Sequence, residues 1–446
     1  MKRIHRTILI IGLALLAIVA AAGCGKRTST NQPATAENSP APSEPNSPVK
    51  GNETTMVAVR FLEERVKGDP DDLVALNKLA GYYLQLHRET DDVKYLKLSL
   101  GAAQASLKVL PIDQNLGGLT ALALAEFETH NFTGARDHAK ELTEYKPQSS
   151  FGFQLFGDAC LELGDYDSAA DAYRQMERLN RGTVGTETRL AHFDLLRGDV
   201  VKARQRYELA LDLASKESIP SAETIAWCHW QLGELEFGSG NTDVAETHYQ
   251  NALKVFPNYP HAITSLARLR VARGDLSGAI SLYESVVKRQ PDPVDCAALG
   301  DAYELAGRIQ DAEKQRSIVE RIGLMDALNT ALYNRHLILF WADHDLKPQE
   351  AYSKATQEYA VRRDVYAADA LAWSALKAGK VDEARSAMNE ALRLGTQDAR
   401  LFYHAGMIER AAGDIEASKD YLQRSLKLNP NFDPLQSIIA KKALAQ

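Results

Sequence analysis

Residues 226–259 read AWCHWQLGELEFGSGNTDVAETHYQNALKVFPNY, and the order of small, aromatic and breaking residues in this stretch decides the fold. Gly240 opens a turn, Ala245, Tyr249 and Ala252 follow at helical spacing, and Pro257 stops the run. The order returns after roughly 34 residues, a helix-pair period, where Gly274 leads into Ala279, Tyr283 and Pro291. It returns again where Gly379 leads into Ala384, Met388 and Ala391. Glycine lacks the Cβ that penalises a left-handed turn, and proline has no N–H with which to continue a helix. A helix pair of this length cannot bury its own apolar face, so successive pairs must stack. The sequence therefore predicts an all-α chain of antiparallel helix-pair repeats stacked into an alpha solenoid.

The same pattern extends in both directions. Helices are expected over 119–127, 135–145, 151–163, 166–179, 186–196 and 200–213. They resume over 225–237 and 244–256 and continue in pairs to 415–428, with a closing helix over 434–444 that covers the last apolar face. Asp326–Ala342 is expected to pair with Pro348–Val361, after a helix over Ile309–Ile322. Leu73 to Tyr83 and Leu96 to Leu110 form a less regular first pair behind a short capping helix near 56–67. Ser215 to Glu223, with Pro220 near its centre, divides a block at 56–214 from a block at 224–446.

The chain begins with a processing segment, 1–23. Lys2, Arg3 and Arg6 precede an apolar run from Ile8 to Ala22, and Ala21-Ala22-Gly23 leads to Cys24. Small residues let an extended chain enter a peptidase cleft, and the cysteine thiol can carry diacylglycerol. This resembles the bacterial lipobox, with Ala21 where leucine is commonest. The resemblance implies a lipid-anchored, extracytoplasmic protein of the bacterial cell envelope. Gly25 in place of aspartate points to the outer membrane where the cell has one. Losing Lys2, Arg3 and Arg6 takes the formal charge from −7 to −10, a balance that gives nucleic acid no basic surface. Residues 24–55 hold the lipidated cysteine and a linker punctuated by Pro33, Pro40, Pro42, Pro45 and Pro48, too poor in apolar side chains to fold and stiff enough to act as a spacer.

With these residues in view, the chain resembles the tetratricopeptide repeat family, and the resemblance implies that the all-α stack is a right-handed alpha solenoid. Leu232, Gly233, Ala245, Tyr249, Ala252 and Pro257 match its pattern in 226–259, and Leu299, Gly300, Tyr303, Ala312 and Val319 match in 293–326, where Arg316 departs from the usual aromatic. In that family the first helix of each pair lines a concave surface that holds peptide segments or folded proteins. Carried onto this register, the resemblance places Trp227, Trp230, Glu234, Phe237, Arg268, Tyr366, Trp373 and Tyr403 on that surface, with Asp301, Asp369, Arg400 and Arg410 continuing it. Trp227 and Trp230, three residues apart, share one helix face. That position also fits packing against the preceding repeat across the Ser215–Glu223 break, and both readings stay open. An assembly factor binding peptide segments and a passive subunit of an envelope complex are both compatible with such a surface, and an all-helical enzyme, which would need a deep pocket of converging ionisable groups, is a third and less favoured reading.

Chemistry is not written in the chain. There is no HExxH, GxSxG, phosphate loop or dinucleotide fingerprint. Cys160, Cys228 and Cys296 fall in separate repeats without CxxC spacing, so they are expected to be small packed residues with no metal or cofactor. His336, Asp343, His344 and Asp345 form the one dense local group, and the sequence predicts a polar turn there.

Overall fold

The computed structural model describes residues 51–446 apart from 91, 93, 219, 290 and 329–334. The expected leader, Cys24 and linker residues 24–50 lie outside the described residues. Linker residues 51–55 do not: helix α1 starts at Gly51 and runs to Gly68.

The described chain is helical throughout and falls into two compact units, one ending at Ala159 and the other running from Cys160 to Gln446. In the first, α1 is followed by α2 (Leu73–Thr90), α3 (Lys94–Val109), α4 (Leu116–Glu128), α5 (Phe132–Tyr145) and the start of α6 (Ser150–Leu163). Leu62, Leu79, Tyr83, Tyr95 and Ala103 form its core. Asn115 starts α4 by accepting from Gly118 N at 2.8 Å, while its own amide donates to Ser106 Oγ at 2.8 Å. One side chain thus satisfies a helix end and ties it to the helix before.

The second unit takes up the end of α6 and continues with α7 (Tyr166–Leu179), α8 (Val184–Leu196), α9 (Val200–Ser215), α10 (Ala222–Gly238), α11 (Thr242–Val255), α12 (Pro260–Ala272) and α13 (Leu276–Val287). Next come α14 (Pro293–Leu305), α15 (Ile309–Leu328), α16 (Arg335–Asp343), α17 (Pro348–Val361), α18 (Val365–Lys377), α19 (Val381–Ala391), α20 (Ala399–Ala411), α21 (Ile415–Leu428) and α22 (Gln436–Leu444). The helix expected to end at Ile322 runs on to Leu328, so the first residues assigned to the helix over Asp326–Ala342 belong to α15; its residues 329–334 lie outside the described residues.

Turns within the pairs share one device. Gly164, Gly198, Gly274 and Gly413 have positive φ, and the aspartate after each caps the next helix through its carboxylate. Glycine ends one helix where a side chain would be strained, and aspartate satisfies the first free N–H groups of the next. The two helices of a pair then bury different amounts of themselves. α11 buries a single stripe, Ala245, Tyr249 and Ala252. α10 is buried almost all round, because it meets its own partner and the helices of both neighbouring repeats. Gly233 makes the pairing possible, since a Cβ there would run into the Tyr249 ring.

The second unit also closes on itself, which an open stack of neighbour-only contacts would not do. Arg363 N donates to Leu163 O at 3.2 Å, Val365 N donates to the Tyr166 hydroxyl oxygen at 2.9 Å, and Asn429 Nδ2 donates to Phe237 O at 2.8 Å. Thr396 Oγ1 donates to Leu196 O. The turns of three early pairs therefore rest against the loops that join three late ones. Inside this seam Arg362 pairs with Glu162, Glu358 and Asp364, and Arg335 pairs with Glu358 and Asp364, all with side chains at least nine-tenths buried.

Candidate functional site

One repeat of sequence separation brings residues side by side, and this builds the first polar group of the inner helices. Glu234 on α10 and Arg268 on α12 lie 34 residues apart, and the guanidinium donates to both carboxylate oxygens at 2.7 and 2.8 Å. The Tyr249 hydroxyl donates to the same carboxylate at 2.8 Å and the Ser265 hydroxyl at 2.7 Å. Trp230 Nε1 donates to Ser265 Oγ at 3.1 Å, and its ring stacks on His261 with centroids 4.6 Å apart. Arg268 lies over the Phe237 ring at 4.1 Å, within cation–π range. Burial alone would raise the Glu234 carboxyl, but the Arg268 charge and the hydrogen bonds outweigh it, so the group is held below its ordinary range. The pair is only partly covered, with about a third of the Arg268 side chain exposed.

A second group forms where α16, α18, α20 and the start of α22 meet. Trp373 Nε1 donates to Asp343 Oδ1 at 2.9 Å, Arg400 reaches Asp343 at 3.5 Å and Asp433 at 2.9 Å, and the Tyr403 hydroxyl donates to Gln436 at 2.6 Å. Trp373 stacks on His404 with centroids 4.2 Å apart, and His404 pairs with Asp369 at 2.7 Å. His344 Nε2 sits 2.8 Å from Asp301. Burial disfavours the imidazolium, but the Asp301 carboxylate prevails and lifts the His344 pKa to about 9. Asp343 is pushed up by its burial, with the Arg400 charge opposing.

The sequence patterns and this geometry meet in the family models. Tetratricopeptide repeat models match residues 120–182, 183–258, 236–299 and 370–431, together more than half of the chain. The chain belongs to the tetratricopeptide repeat family. It is 39% identical over 69 residues to the probable biofilm formation methyltransferase WspC of Pseudomonas putida, covering 16% of this chain and 15% of that protein. It is 24% identical over 219 residues to the human protein O-mannosyl-transferase TMTC1, covering 47% of this chain and 24% of that one. It thus spans a quarter or less of the length of these relatives. Among solved structures, PilW, a widely conserved type IV pilus biogenesis factor, is 16% identical with a TM-score of 0.40, covering 51% of this chain and 97% of that chain.

In this tetratricopeptide protein the residues assigned to the concave surface separate into classes. Trp230, Glu234, Phe237 and Arg268 converge in the first group, and Trp373 and Tyr403 in the second. Trp227 stands apart, meeting Tyr207 of α9 edge-on at 6.4 Å across the Ser215–Glu223 break. Tyr366 is half-buried near Asp398 and Tyr166, with its hydroxyl pKa raised by burial. The expectation of an aromatic face open to solvent is corrected: Trp227 is 3% exposed, Trp230 6%, Phe237 4%, and Trp373 and Tyr403 1% each. Each first helix shares its flanks with both neighbouring repeats, so large rings fill the joints; of the charged residues, Glu234, Arg268 and Arg400 stay partly exposed while Asp369 is buried with the rings. Asp343 and His344, read from sequence as part of a polar turn, lie in the second group. Only Asp345 and Lys347 beyond them have the positive φ of a turn. Their local density was visible in the sequence, and so was a helix ending at Ala342, but not that the end of this helix brings them to Trp373 and Asp301.

Proposed function

We propose that the chain is a binding scaffold held at a bacterial cell envelope by a lipid on Cys24, taking a segment of a protein partner against the inner helices. The observation that carries this reading is the Glu234–Arg268 pair. Two opposite charges are fixed by three surrounding contacts yet remain partly open to solvent. Side chains already locked by the fold lose little freedom on binding, which is what a recognition surface needs. The lipid reading rests on the apolar run from Ile8 to Ala22 and the small residues before Cys24. One acyl chain binds a bilayer marginally, and two or more bind it stably. Among the described residues, no helix is long and apolar enough to cross a membrane.

Two variants in the source cell test the reading. Mass spectrometry of the mature N-terminus should find residues 1–23 removed and acyl chains on Cys24, Cys24→Ser should abolish both, and an unmodified Cys24 in the mature wild-type chain would refute the lipid tether. Changing Glu234 and Arg268 to alanine together avoids stranding one buried charge. It should abolish co-purification of the partner while helicity is unchanged. Undiminished recovery would refute the inner-helix surface.

A further inference from the structure

Away from both polar groups, α10 and α11 bring two histidines together. His229 Nδ1 and His248 Nδ1 lie 3.2 Å apart, with ring centroids 5.5 Å apart and planes tilted by 44°. We infer that this pair is a chelating site for a divalent transition-metal ion of the zinc, copper or nickel class. A tetrahedral ion with metal–nitrogen bonds of about 2.0–2.1 Å holds its nitrogen ligands about 3.3 Å apart, close to the separation observed. Imidazole is the side chain these metals share as a preferred ligand.

The surroundings suit a cation. The carboxylates of Glu236 and Glu208 lie close enough to His248 to favour positive charge there. Glu236 is held by Arg204 and by Asn241, so it acts through its field and does not serve as a ready ligand. Both rings are half-buried, which leaves an ion a route from solvent. Two side chains make half a tetrahedral shell. Among the described residues no third histidine, cysteine or carboxylate completes the set, so water fills the remaining positions and binding is exchangeable.

The test uses the full chain without an added histidine tag, titrated with Cu(II) and examined by electron paramagnetic resonance. The expected spectrum carries coupling to two imidazole nitrogens at one equivalent of copper. A spectrum with one or none would overturn the site without any mutation. Zinc titration of His229→Gln and His248→Gln then follows. Losing the outer hydrogen-bond partner of a metal ligand costs about 10–100-fold in affinity, and losing a ligand costs no less. Each variant should therefore lose at least that much, and His138→Gln should lose nothing. Equal affinity in all three would place the metal elsewhere and refute the assignment.

Discussion

Arg362→Ala should open the seam of the second unit. Glu162, Glu358 and Asp364 supply three carboxylates to a buried cluster, and Arg335 and Arg362 supply two guanidinium groups. Side-chain exposure is 1% for Arg362 and 2% for Glu162 and Glu358. The substitution leaves three carboxylates facing one guanidinium in a region that water does not reach. Removing one member of a buried pair costs about 3–5 kcal/mol, mostly because its partner is left uncompensated. Replacing both members with neutral groups costs much less, so Glu162→Gln combined with Arg362→Met should recover most of the loss. Urea unfolding followed by circular dichroism reads the global change. Hydrogen exchange at Arg363 and Val365, whose amides donate across the seam, reads the local one. At about 1.4 kcal/mol per decade, protection there should fall by two to three orders of magnitude. A loss of less than about 0.5 kcal/mol, the scale of an ordinary surface substitution, would refute the cluster as the closure of the seam.

Other consequences follow from single sites. Gly233→Ala should destabilise, because the new Cβ meets the Tyr249 ring, whereas at Gly300 the nearest atom to a Cβ is 3.5 Å away. Gly300→Ala should therefore stabilise by up to about 1 kcal/mol through helix propensity, and equal effects of the two changes on the urea midpoint would contradict the packing. The His344 pKa is raised to about 9 in the folded protein, so its pairing with Asp301 stabilises fully below the unfolded value of about 6.5 and is lost as pH rises through 9. His344→Gln should flatten that part of the stability–pH curve, and parallel curves would dismiss the ion pair. Cys160, Cys228 and Cys296 are buried, and burial pushes the Cys228 and Cys296 thiols up to about 12. A thiol reagent should label them only after unfolding, and rapid labelling of the native protein would contradict their packing.

The helix pairs could be read from the chain because their signals are local. Gly198-Asp199 and Gly274-Asp275 announce both the end of one helix and the cap of the next, and Ala245 and Tyr249 mark the buried stripe between them. The continuation of α15 past Ile322 gave no such signal. Gly323 lies inside α15 against Leu337, so a residue that elsewhere ends helices serves there as a close contact. The seam could not be read at all. Glu162 and Arg362 lie 200 residues apart, and no periodicity links two single charges that meet only when the stack curves back. For the inner surface, the repeat register placed Glu234 and Arg268 on one face without pairing them, although they lie one repeat apart. It did not show that Trp230 and Trp373 would turn into the joints, because an aromatic at that register can fill a joint or face solvent, and only the neighbouring repeats decide which.

The inner helices, and not the exposed face of the second helices, hold a protein partner. In-cell photocrosslinking decides it most directly, with a photoreactive residue replacing Ala272, half-buried on α12 four residues on from Arg268, in one strain and Val244, which is 48% exposed on α11, in another. One discrete adduct is expected from position 272, removed when Glu234 and Arg268 are both changed to alanine, and none from position 244. The same adduct from position 244, or its persistence at position 272 without the Glu234–Arg268 pair, would contradict it.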